Sequence, residues 1–154
     1  MTQIKFRIAK ERDLVKIVEM LSDDELGKKR ERFELPLPQC YTTAFHAITD
    51  DPNNELIVAC FENEIIGVLQ ITFTPYINHQ GGWRVTIEGV RTASSVRGQG
   101  VGSKLIQWAI ERAKARGCHL VQLTTDKQRV DALRFYEKLG FNATHNGLKM
   151  KLST

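Results

Sequence analysis

The chain has 154 residues, 42% of them hydrophobic and 26% charged, with a net charge of +4, which suits one domain over 1–154 with its own core. No apolar run approaches the roughly 20 residues of a membrane span, and Met1 to Lys5 hold no apolar signal segment, so the protein is expected in the cytoplasm. Cys40, Cys60 and Cys118 are unevenly spaced and form no C-x-x-C pair, which argues against a disulfide framework or a zinc site.

Ile4 to Ile8 alternates and predicts a first strand. Leu14, Ile17, Val18 and Leu21 recur at helical spacing, so Asp13 to Leu21 is a helix. Residues 22–32 are densely charged without a clear period and are expected to form a solvated helix end and loop. Pro38 opens a helix through about Thr49, and Asp51-Pro52-Asn53-Asn54 is a turn. Leu56 to Phe61 and Ile65 to Phe73 flank Glu62-Asn63-Glu64 as a hairpin. Pro75 to Gly82 then turns into a third antiparallel strand that starts at Trp83.

In that strand Trp83, Val85 and Ile87 alternate with Arg84, Thr86 and Glu88. The alternation slips at Gly89–Val90, which predicts a β-bulge with a backbone N–H freed from the ladder. The loop that follows ends in Arg97-Gly98-Gln99-Gly100-Val101-Gly102 at the start of a helix. Bare N–H groups at a helix start sit at the positive end of the macrodipole and suit phosphates, and Arg97 adds a bidentate donor. Two glycines would need no more than a tight turn to explain them; three with an arginine after a strand point to an anion. The dinucleotide pattern G-x-G-x-x-G fails at Ser103, and no Gly-Lys pair completes a P-loop.

From Val101 the helix runs to about Arg116 and stops at Gly117, with Gly102, Leu105, Ile106, Ala109 and Ala113 on one face. Val121 and Leu123 mark a strand parallel to the Trp83 strand through this crossover. Val130 to Leu139 is a short helix ended by Gly140, and Phe141 to Leu152 holds two short strand candidates around Gly147. Eight basic and three acidic residues lie between Arg97 and Arg134, a field that favours a polyanionic ligand. Nucleic acid fits less well, because aromatic and basic residues do not interleave.

The pattern R-x-x-G-x-G, filled by Arg97, Gly100 and Gly102 after a bulged strand, resembles the main motif of the GCN5-related N-acetyltransferase (GNAT) family. Residues 131–141, DALRFYEKLGF, are similar to its second signature, A-x-x-x-Y-E-x-x-G-F. The resemblance implies a mixed α/β acyl-CoA N-acyltransferase fold in the order β-α-α-β-β-β-α-β-α-β-β. An antiparallel meander would lead into a splayed parallel pair of central strands. It implies acetyl-CoA as co-substrate and no metal. Arg97, Gly98, Gln99, Gly100, Val101, Gly102 and Ser103 would hold the pyrophosphate, and the bulge with Val90, Arg91 and Thr92 would meet the thioester. Where many members carry an asparagine that binds the pantetheine arm, this chain has Arg129, which reaches a phosphate or faces solvent.

Acetyl transfer to an amine needs a base for the amine proton, a donor for the oxyanion and a proton for the departing thiolate. On position alone Glu88 is equally a polar strand partner and a base; the resemblance favours a base acting through water. Tyr136 is a buried aromatic by its surroundings and, by the resemblance, the proton donor to the thiolate. His46, His79, His119 and His145 have no metal spacing, and His79, in the loop before the central strand, is either a surface histidine or part of the acceptor pocket's lining. The acceptor would meet residues 33–41 and 76–83. Asp23, Asp24 and Glu25 carry a weak suggestion of attraction for a cationic amine. The expected enzyme acetylates a primary amine of a small molecule in a ternary complex, without membrane or nucleic-acid partners. The family also permits a homodimer. Three alternatives stand beside it: a protein N-terminus or lysine as acceptor, a non-catalytic acetyl-CoA module, and a nucleic-acid binder.

Overall fold

The computed structural model describes residues 3–153. They divide into two compact units, one up to Gln122 and one from Leu123 onward. The first runs β1 (Lys5–Ile8), α1 (Leu14–Leu21), α2 (Glu25–Arg30), α3 (Gln39–Asp50), β2 (Asn54–Phe61), β3 (Glu64–Pro75), β4 (Trp83–Thr92), α4 (Val101–Ala115) and into β5 (Leu120–Leu123). The second contains α5 (Ala132–Lys138).

The strands form one sheet in the order β1-β2-β3-β4-β5. β1 through β4 are antiparallel neighbours. The direction of β5 follows from two bonds. His119 N donates to Trp83 O at 2.9 Å, and Gln122 Nε2 donates to Thr86 Oγ1 at 3.1 Å. Three residues of advance on one strand match three on the other, so β4 and β5 are parallel. The helical crossover α4 joins them, as a parallel pair requires. This is the mixed sheet the sequence predicts, an antiparallel run with a parallel pair at its end.

Each face of the sheet is covered differently. Leu69, Ile71 and Phe73 of β3 lie beside Val85 and Ile87 of β4, all buried, on the face that takes α4. α4 contributes Val101, Leu105, Ile106, Ala109 and Ala113. The approach is closest at Gly67, where an added Cβ would stand 2.7 Å from Leu105 Cδ1 and 3.3 Å from Val101 Cγ1. Further along, Arg116 lies 3.9 Å over the Phe73 ring, and Arg112 grips Glu55 with bonds of 3.0 and 2.6 Å. On the opposite face Val58, Ile66 and Val68 are buried, and α1, with Leu14, Ile17, Val18 and Met20 inward, covers that side. Each such side chain contributes roughly 1.5–3 kcal/mol by leaving water. At the edge of this layer Asp13 is buried, and Arg7 grips it with bonds of 2.7 and 3.1 Å.

Three local differences from the sequence reading have physical causes. Residues 25–30, within the stretch expected as a solvated helix end and loop, form a separate helix, α2. Asp24 Oδ1 caps it by accepting from Gly27 N at 2.6 Å, while Glu25 starts it and Lys28, Lys29 and Arg30 end it. That charge order complements the helix dipole. The hairpin turn is Glu62–Asn63, both at positive φ, and Glu64 already belongs to β3. The strand candidates around Gly147 do not form, and residues 142–153 are exposed without strand pairing.

Candidate active site

Glycine breaks the register of β4. Gln70 pairs with Glu88 and Val68 with Arg91, so Gly89 and Val90 together oppose the single residue Leu69. That is a β-bulge at the position where the alternation slips. Gly89 sits at φ +62°, a left-handed conformation that costs an L side chain roughly 1–2 kcal/mol. The bulge turns the last residues of β4 away from a regular ladder and bends the strand.

Beyond the bulge a 3₁₀ turn at Ser94–Val96 leads into the glycine loop. Val96 is buried and anchors it. Gly98 and Gly100 have φ of +78° and +82° and open space where a Cβ would stand. Gly100 is the N-cap of α4. Lys104 N donates to Gly100 O at 3.2 Å and closes the first helical turn. The N–H groups of Val101, Gly102 and Ser103 therefore precede the first internal bond of a fifteen-residue helix. Val101 is buried and contributes its backbone alone. The result is a cradle with the chemistry to take an anion, open at Gly98 and Gly100 and anchored by the buried Val96 and Val101.

Two acidic residues of the α1–α2 turn lie against this region. Arg97 Nη2 donates to Asp23 O at 3.1 Å and lies 3.8 Å from Asp23 Oδ2. Arg91 Nε lies 3.7 Å from Asp24 Oδ2, and Arg91 Nη1 donates to Val90 O at 2.7 Å. Leu21 Cδ2 stands 3.9 Å from the point where Gly89 would carry a Cβ. Asp23 and Asp24 are thus engaged with the two arginines that flank the loop. The next segment is fixed by Tyr41, whose hydroxyl accepts from Arg32 N at 2.9 Å and donates to Glu31 Oε1 at 3.0 Å. Burial, followed by the Glu31 contact, holds the Tyr41 hydroxyl above its ordinary pKa despite the opposing Arg32 bond.

Glu88 is exposed and stands directly before the bulge. Its face of the sheet was not foreseen as a unit. Past Val68 that face of β3 turns polar and half-buried at Gln70, Thr72 and Thr74, opposite Glu88, Thr86 and Arg84. Asn54 Oδ1 accepts from Gln70 Nε2 at 3.1 Å and Thr72 Oγ1 at 2.9 Å. Gln122 completes the row from β5. The signal was present in the sequence: positions 70, 72 and 74 break an otherwise apolar strand with polar residues at a period of two.

In the second unit Tyr136 lies on α5, with its ring edge-on to Phe135 at 5.1 Å and to Phe141 at 5.8 Å. Gly140, at φ +105°, ends the helix, and Phe141 N donates back to Tyr136 O at 3.1 Å. Arg129 N donates to Asp126 O at 2.9 Å in the preceding turn. Burial raises the Cys118 thiol pKa against the opposing charge of Arg116, which makes it a poor nucleophile. Among the described residues no three His, Cys, Asp or Glu side chains are grouped to hold a metal, and no helix is long and apolar enough to cross a membrane.

A family profile described as the acetyltransferase (GNAT) family matches residues 16–141, from α1 through the bulge and cradle to the end of the second motif. The chain belongs to that family. Aminoalkylphosphonate N-acetyltransferase of Salmonella typhimurium is 32% identical over 107 residues, 70% of this chain and 69% of that one. Glucosamine 6-phosphate N-acetyltransferase of Trypanosoma brucei brucei is 33% identical over 57% of this chain and 58% of its own. A crystal structure from Bacillus halodurans C-125, described as a transcriptional regulator, is 65% identical with a TM-score of 0.95, covering 97% of this chain and all of that one. The protein is an N-acetyltransferase of the GNAT type. Its cradle fits the family's CoA co-substrate: the open glycines and first-turn N–H groups suit a pyrophosphate.

Proposed function

We propose that the protein transfers acetyl from acetyl-CoA directly to the primary amine of a small molecule in a ternary complex. The observation that carries this is the bulge of β4 running straight into the glycine cradle at the start of α4. The backbone from Arg97 to Ser103 binds the pyrophosphate, and Val90, Arg91 and Thr92 line the thioester end. Bound acetyl-CoA supplies the activated acetyl group. Glu88, through water, takes the proton from the amine as its nitrogen attacks the thioester carbon. The Val90 N–H donates to the carbonyl oxygen as charge develops there. The carbon–sulfur bond then breaks and the thiolate takes a proton. Tyr136 is the proposed donor, on the strength of its place in the second motif. Arg129 is assigned to the cofactor side on the same ground. The protein acts in the cytoplasm, with a homodimer as its proposed assembly.

Two relatives favour a small acceptor: one is named for an aminoalkylphosphonate and the other for glucosamine 6-phosphate, both amines that carry a phosphorus oxyanion. The test is release of CoA thiol from acetyl-CoA across polyamines, amino acids, amino sugars, aminoalkylphosphonates and short peptides, with acetyl-CoA binding titrated in parallel. Turnover on a small amine is expected. Turnover on peptides alone would move the acceptor to proteins. Binding without turnover would leave a non-catalytic acetyl-CoA module. Salt-dependent DNA binding indifferent to CoA would support the role described for the Bacillus halodurans structure.

A further inference from the structure

Arg84 has no partner equal to its charge. It stands half-buried on β4, opposite Thr74, on the same polar face as Glu88. Its Nε atom is buried and has no hydrogen-bond partner among the described residues. Among the described residues its one side-chain bond, from Nη1 to Gln122 Oε1, is long at 3.4 Å. Among the described residues no carboxylate pairs with it, whereas Arg7, Arg91, Arg97 and Arg112 each lie beside one. The Tyr76 ring, 4.4 Å from the guanidinium carbon, holds the group flat from one side. A buried donor without an acceptor is costly and calls for an explanation, and a half-buried cation without an anion adds to that cost.

We infer that Arg84 binds an oxyanion of the acetyl acceptor, so that the acceptor is a compact primary amine carrying a phosphonate, phosphate monoester or carboxylate at its far end. This rests on the acetyltransferase reading above and names the substrate class of the same site. Three observations converge on it. First, the guanidinium is a planar fork that matches an oxyanion with two donors at once, and here Nε and Nη2, the two donors of one edge, have no hydrogen-bond partner among the described residues, while Nη1 holds the long bond to Gln122. Second, the row between Arg84 and Glu88 is polar and uncharged, made of Thr72, Thr74, Thr86, Gln70 and Gln122. Such a row can bond a hydroxylated or short polar body without competing for either end. Third, Arg84 and Glu88 are four residues apart on one strand, about 13 Å between Cα atoms at roughly 3.3 Å per residue. On one face of the strand, that span admits a molecule of a few carbon atoms between the two side chains. Opposite charges at its two ends, ammonium toward Glu88 and oxyanion toward Arg84, set its direction.

The test compares the wild type with Arg84→Gln and Arg84→Lys on four matched acceptors: an aminoalkylphosphonate, an amino-sugar phosphate, an amino acid and a neutral amine of similar size. In the wild type an anionic acceptor should be preferred by at least tenfold in kcat/KM, and the preferred one identifies the oxyanion. Arg84→Gln should raise KM for that acceptor by about 10- to 100-fold, leave KM for acetyl-CoA unchanged and abolish the preference over the neutral amine. Arg84→Lys, which keeps the charge and loses the fork, should fall between. Thermal denaturation of both variants reports the fold. Equal use of the neutral amine by the wild type, or equal losses on all four acceptors in Arg84→Gln, would overturn the inference while leaving the acetyltransferase reading intact. No turnover on any amine, with no binding of acetyl-CoA, would instead remove the reading beneath it.

Discussion

β4 contains two regions that behave oppositely within ten residues. From Trp83 to Ile87 it keeps strict alternation, with Val85 and Ile87 buried against α4 and Arg84 and Thr86 facing the polar side. From Glu88 to Thr92 the alternation is broken by the bulge, a left-handed glycine and two residues without ladder partners. The first half is paired to both neighbouring strands and serves the core. The second gives up regular pairing and gains exposed backbone beside the cradle. The difference shows where stability and chemistry part company. Substitutions of the buried residues Val85 and Ile87 in the first half should cost folding energy, and those in the second should cost turnover.

Glu88→Gln is expected to give the largest separation. If Glu88 is the base, kcat falls by about 10²- to 10⁴-fold, most strongly at low pH where the amine holds its proton. Acetyl-CoA affinity and the denaturation midpoint stay unchanged. An unaltered pH–rate profile would remove Glu88 from that role.

Ile87→Ala, one residue away, should do the reverse. Loss of a fully buried side chain costs about 2–5 kcal/mol, read as a lower midpoint in urea, while kcat of the folded fraction stays near wild type. A large drop in kcat with little loss of stability would erase the distinction between the halves.

Gly89→Ala lies on the boundary. The left-handed backbone makes an L residue cost about 1–2 kcal/mol, and there is room for the methyl, since Leu21 Cδ2 stands 3.9 Å away. The expected result is a modest loss of stability with a disproportionate loss of kcat, as the Val90 N–H shifts. Equal, small changes in both would mean that the bulge tolerates a different conformation.

Arg97→Ala should have the smallest effect, a few-fold rise in KM for acetyl-CoA and no change in midpoint. Its side chain is 58% exposed and its contacts to Asp23 are replaceable by water. A loss of more than about a hundredfold would place the main phosphate contact on its side chain and not on the backbone.

Much of this was legible in the chain because the signals were local. The phase slip at Gly89 lies inside one strand. The glycines of the cradle are needed for their own backbone angles at 98 and 100, and α4 shows its buried face at a spacing of three and four. What stayed hidden depended on distant partners. Asp23 and Arg97 are 74 residues apart, and no periodicity connects them. α2 was masked because its charges hide any apolar face, although their order along the helix favours it. The polar row across β2 to β5 is assembled from four strands, each of which supplies only one to three of its members. The tail around Gly147 has alternating apolar residues, and Leu148, Met150 and Leu152 nevertheless remain exposed. Alternation predicts a strand only where a neighbour offers an edge to pair with.

The contact between Arg97 and Asp23 also bears on the phosphate site proposed for the glycine loop. An arginine standing in water would add its whole charge to the attraction for an arriving phosphate. Here the guanidinium already leans on a carbonyl and a carboxylate, so a phosphate that engages it exchanges one anion for another. Exchange lowers the gain in affinity and flattens its dependence on salt. Because both side chains are half-exposed, water can replace either partner, and the loop keeps its anchor at the buried Val96 through the exchange.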